Sequence, residues 1–199
     1  MKPRAFSNPI TRIAATWLLG IAVLVAAGIA VRGETAAMPS DKATPLGTAA
    51  QVRIDKPTVA VPLDTSPAAE RLGQALAAPS SHLAPKLALG GITVAHPPGV
   101  LFNVYLATAG PHPQRQYVGT LSFFGVEGDG PVTLPARNFN VAGPLRALQG
   151  TGASLAGLQV IFEATDGTSG STVAKAAPLF NSKAGLKVGS VRLEVEEKR

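Results

Sequence analysis

The sequence predicts an all-β fold: a compact antiparallel β-sandwich or jelly-roll-like domain with one or two short helices, preceded by an N-terminal hydrophobic helix. Three observations predict it. Residues 100–126, VLFNVYLATAGPHPQRQYVGTLSFFGV, gather β-branched, aromatic and leucine residues into two short runs broken by Gly110, Pro111 and Pro113, the pattern of two paired strands and their connection. Glycine (21) and proline (17) are abundant while charged residues are only 15%, a balance that suits strands joined by many turns. Near the C-terminus Val191, Leu193 and Val195 alternate with Arg192, Glu194 and Glu196, the signature of a half-buried strand.

Taken in order, the chain opens with Lys2, Arg4 and Arg12 and then runs from residue 13 to 31 without a charge. As a helix this run would rise roughly 28 Å, close to the apolar thickness of a bilayer. The layout fits a cleaved secretory signal over residues 1–37 or an uncleaved signal anchor with a transmembrane helix, with Thr35, Ala36 and Ala37 as a cleavage region. Either way the charge bias carries the chain beyond Arg32 across the membrane, into the periplasm or the extracellular space. Half of the formal charge of +6 comes from Lys2, Arg4, Arg12 and Arg32 against Glu34, and no dense basic run lies beyond them, which argues against nucleic acid as a partner. Cysteine is absent, which removes disulfides, thiolate chemistry and a lipid-anchored cysteine.

Residues 38–50 are small and polar and read as a flexible spacer. Residues 51–89 read as an extended approach: two short extended pieces around Pro57, a helix over 67–77 capped by Thr65 or Ser66, and a loop over 80–89. The β-domain proper is then expected over 90–199. Its segments are a strand at 91–95, the His96-Pro97-Pro98-Gly99 turn, and a strand over 100–107 with Phe102, Val104 and Leu106 on one face and Leu101, Asn103 and Tyr105 on the other. In the next strand, 116–126, Tyr117, Gly119, Leu121 and Phe123 oppose Val118, Thr120, Ser122 and Phe124. Further strands are expected in 132–141, 155–164 and 186–196, a short helical turn in 143–148, and a mobile loop in 166–174. Six to eight strands result.

No constellation of side chains specifies catalysis. His82, His96 and His112 lie fourteen and sixteen residues apart near prolines, without the close pairs that ligate zinc or copper. Glu127 with Asp129, and Glu163 with Asp166, flank turns without calcium-loop spacing. Ser169, Ser171 and Thr172 lack a nucleophile elbow, and Gly125, Gly128 and Gly130 lack the strand–loop–helix context of a nucleotide site. The chain therefore reads as a non-enzyme with no catalytic residue, no cofactor and no metal ligand. Tyr105, Tyr117, Phe123, Phe124, Phe139 and Phe180 read chiefly as packing residues, with His112, Tyr117 and Phe180 as candidate partner contacts.

In order, LFNVYL, QYVGTLSFFG, FNVAGPLRAL, LAGLQVIFEA and KVGSVRLEVEE resemble the small C-terminal β-domain of bacterial tyrosinase-like proteins and plant polyphenol oxidases. Residues 101–106 are similar to that domain's phenylalanine–aspartate–valine–tyrosine strand, with Asn103 where the acid is usual. Phe139, Asn140 and Val141 resemble the strand leading into its short helix, and Val188, Gly189, Val191 and Leu193 its closing strand. In that family the β-domain covers a dinuclear type-3 copper site built by six histidines on a helical domain, and a placeholder side chain can enter the copper pocket. The resemblance, spanning residues 90–197, implies a detached partner that shields, assembles or matures a tyrosinase-like copper oxidase. The alternative is an envelope scaffold that binds another exported protein or a polymer, unrelated to copper oxidation.

Overall fold

The computed structural model describes residues 43–77, 83–110, 112–126 and 130–197. These residues form a mostly-β domain of two antiparallel sheets and a few short helices. The strands are β1 (Ala43–Ala49), β2 (Val52–Arg53), β3 (Thr58–Pro62), β4 (Leu83–Val94), β5 (Leu101–Thr108), β6 (Arg115–Leu121), β7 (Val132–Leu134), β8 (Arg137–Asn140), β9 (Leu158–Thr165) and β10 (Lys187–Glu197). The helices are α1 (Ala69–Ala77), α2 (Ala142–Gly150) and the single turn α3 (Val173–Ala176).

Sheet A runs β1-β10-β4-β7, with β2 also paired to β10 and β8 to β4; sheet B runs β3-β9-β5-β6. Period-2 alternation directs Phe102, Val104 and Leu106 of β5, and Val160 and Phe162 of β9, to the inner face of sheet B. Leu87 and Leu89 of β4 and Val191, Leu193 and Val195 of β10 do the same for sheet A. Buried residues of both sheets join one hydrophobic cluster, to which α1 adds Leu72 and Leu76 and α2 adds Leu145 and Leu148.

One local device keeps sheet A facing this core. Ile92 and Val188 are fully buried, although strict alternation from Leu89 and Val191 would turn both outward. Between them Gly91 takes φ +60, and a Cβ on it would lie 3.3 Å from the Cα of Gly189 on the neighbouring strand. The glycine pair reverses the pleat in both strands while the β4–β10 register stays unchanged on either side, from Lys187–Thr93 to Val195–Pro85.

The structure corrects several expectations. Residues 43–49 are a strand, not a flexible spacer: β1 pairs with β10 from Ala43–Glu196 to Ala49–Val191, and Leu46 is buried in the core. One anchoring leucine and a ladder partner suffice for an edge strand of otherwise small residues. Nor is 51–89 an approach to the domain, since Ile54, Val61, Leu63, Leu72, Leu87 and Leu89 belong to the same cluster as Phe102 and Leu193.

Residues 83–89, read as loop because of Pro85, are the first half of β4. Proline is tolerated there because the carbonyl that its missing N–H would face, that of Val141, already accepts from Leu145 in the first turn of α2. The helix expected at 67–77 is present, opened by a 3-10 turn at Ser66–Ala68, but Thr65 does not cap it. The buried Thr65 hydroxyl instead donates to the Leu155 carbonyl (2.6 Å) and accepts from the amides of Gly157 and Leu158, tying this turn to the start of β9.

In β6 the expected faces are shifted by an irregularity between Val104–Gly119 and Tyr105–Tyr117. Tyr117 therefore shares the outer face with Thr120, to which its hydroxyl is hydrogen-bonded at 2.8 Å. A final correction concerns the membrane. No helix among the described residues is long and apolar enough to cross one, which overturns the transmembrane-helix expectation as far as those residues reach; segment 13–31, where it was placed, lies outside them.

Candidate partner-binding surface

The three residues expected to contact a partner are not brought together. His112 is exposed in the β5–β6 connection. Tyr117 is half exposed on the outer face of sheet B, its ring edge-to-face with Tyr105 at 5.8 Å. Around that pair Arg115 lies over the Tyr105 ring and bridges Glu163, while Thr120 donates to Asn103 Oδ1, so the polar groups of this face largely satisfy one another. Phe180 is partly buried and packs edge-to-face on the fully buried Phe102 at 5.8 Å, a core role.

His96 is exposed and its amide donates to the Ala184 carbonyl; His82 lies outside the described residues. Among the described residues no group of three or more His, Asp or Glu is placed to hold a metal ion.

A different surface presents apolar side chains to solvent. β6 ends at Leu121, and the turn after it splits the phenylalanine pair: Phe123 turns inward against Phe102 (6.2 Å), whereas Phe124 is 87% exposed. In a backbone of alternating faces two successive phenylalanines cannot both enter the core, and that doublet was the available sequence signal for Phe124. Phe124 rims an open cleft of about 280 Å³ whose walls include Pro97, Pro98, Leu101, Phe123 and Asp166.

The cleft's walls are tied down. Gly99, at φ +75, lets the 97–99 turn press against the carbonyl of the exposed Leu179. Asn181 then donates to the carbonyls of Pro98 (2.9 Å, backbone) and Pro97 (3.2 Å, side chain). On the other wall Asp166 Oδ1 accepts from both the amide (2.9 Å) and the hydroxyl (2.7 Å) of Thr168, and the Asp166 amide donates to Ser171 Oγ (3.0 Å). The two Thr168 donors, with Ser171 nearby, lower the Asp166 pKa from 3.8 to about 2. The loop expected here contains a hydrogen-bonded turn over residues 166–171.

Among the described residues the arrangement is a largely apolar cleft with one carboxylate and a projecting phenyl ring, suited to contact with another molecule. Among the described residues that line it, no nucleophile is paired with a general base. No family model matches the chain, and no curated protein matches it.

Proposed function

We propose that the chain is a non-catalytic exported protein, periplasmic or extracellular, that shields, assembles or matures a tyrosinase-like type-3 copper oxidase. In this reading the two sheets stack as a sandwich that carries the docking surface at one end. The ordered resemblance of its strands to the tyrosinase-associated β-domain supports the reading, and the exposed Phe124 carries it. A phenyl ring held outside the fold gains roughly 1.5–3 kcal/mol when a partner's pocket removes it from water. Phe124 takes over the partner-contact role first expected of Phe180, whose ring is used internally.

The test is affinity capture of the tagged full chain from its native cells, with retained proteins identified by mass spectrometry. Enrichment of a type-3 copper oxidase, reduced at least tenfold by Phe124→Ser, supports the proposal; tenfold corresponds to about 1.4 kcal/mol, within what one buried ring contributes. A reproducible partner set without such an oxidase overturns it and favours the scaffold alternative.

A further inference from the structure

Among the described residues that line the cleft beside Phe124, Asp166 is the one charged side chain, set among apolar walls. Its carboxylate is oriented by Thr168 through Oδ1, yet the four ion pairs found among the described residues, Lys86–Glu194, Lys86–Glu196, Arg115–Glu163 and Arg192–Glu194, leave it out. The cation that acts on it most visibly, Lys175, has its Nζ turned to the Gly170 carbonyl at 3.4 Å. A docked molecule thus meets a preset negative charge with apolar surface around it.

That combination selects its occupant. A wholly apolar group would strip water from the carboxylate without replacing its hydrogen bonds, and an acidic group would be repelled. Lysine and arginine satisfy both requirements, because their alkyl stems lie along apolar walls while the charged head reaches outward. Arginine also stacks its planar head on aromatic faces. We infer that the cleft receives a lysine or arginine side chain of the docked protein, its stem along Phe123, Phe124 and Pro98 and its cation on the Asp166 carboxylate. The inference rests on the docking reading above and supplies the polar half of that contact.

The test needs no oxidase, so its failure is separate from failure of the docking proposal. The isotope-labelled full chain is titrated with N-acetyl-arginine methylamide and, in parallel, with the uncharged N-acetyl-citrulline methylamide, following backbone amide shifts. Saturable shifts at residues 98–101, 123–126 and 166–168 are expected, with the arginine probe binding roughly two- to fivefold tighter, the range of an exposed ion pair. Added salt or Asp166→Asn, which keeps the acceptor for Thr168, removes that preference. Absence of saturable shifts at these residues overturns the inference, as does equal binding of the two probes.

Discussion

Gly99→Ala probes the joint that shapes the cleft. At φ +75 an alanine pays roughly 1–2 kcal/mol for its left-handed backbone. Its Cβ would also lie 2.4 Å from the carbonyl oxygen of Leu179, a backbone atom that moves only if the 97–99 turn and the 179–181 segment separate. Separation weakens the Asn181 bonds to Pro98 and Pro97, each contributing about 0.5–1.5 kcal/mol net. The expected loss is therefore about 2–5 kcal/mol.

Gly152→Ala supplies the backbone part alone, so the difference between the two variants is the steric part. Gly152 has nearly the same angle, φ +76, but nothing within 4 Å of an added Cβ, so the backbone penalty of about 1–2 kcal/mol is all it should lose. Urea unfolding followed by far-ultraviolet circular dichroism reports on the sheets directly, whereas fluorescence of the one tryptophan, Trp17, would report from outside the described residues. If the two variants unfold within about 0.5 kcal/mol of each other, the Gly99–Leu179 contact has been misjudged.

Three further outcomes are expected. Phe102→Ala, which removes the buried ring shared by Phe123 and Phe180, lowers stability by about 3–5 kcal/mol in the same assay; a loss below about 1 kcal/mol would contradict its central place. Glu194→Gln leaves Lys86 and Arg192 without their shared carboxylate on the outer face of sheet A and costs about 1–3 kcal/mol at neutral pH, a loss that urea midpoints would detect and a neutral result would refute. Asp166 titrates lower folded than unfolded, so its stabilising effect is complete above about pH 4 and disappears as pH falls through about 2. The stability difference between wild type and Asp166→Asn should shrink across that window, and a constant difference would rule out the Thr168 explanation.

The stretches that alternate strictly were legible. The inner and outer faces of 101–106 in sheet B and the half-buried pattern of 191–196 in sheet A could be read from side-chain period alone. What escaped was set by partners distant in sequence. Residues 43–49 become a strand through β10, and Pro85 fits a strand because α2 has already used the opposing carbonyl. The reversal at Gly91 and Gly189 hid Ile92 and Val188 from any periodic reading. Glu194 looked like a solvated residue but is 5% exposed and paired with Lys86 and Arg192. At the surface, Phe180 drew attention by standing alone between loops and turned out to pack on Phe102, while Phe124 was hidden inside a run of strand-forming residues.

The position of β10 also fixes when the domain can form. Sheet A is assembled on both sides of this strand: β1 and β2 bond to one side of it and β4 to the other, through pairs such as Ala43–Glu196 and Leu83–Glu197. Among the described residues, every other strand lies earlier in the chain than the one that joins them and emerges before it during synthesis. Until residues 187–197 leave the ribosome, β1 and β2 have no ladder and β4 keeps an open edge, a bare template for association with other chains. Closure of such widely separated segments makes for slow folding. Sheet A thus cannot close until residues 187–197 are made, and in that interval the edge of β4 is the part of the chain that needs protection.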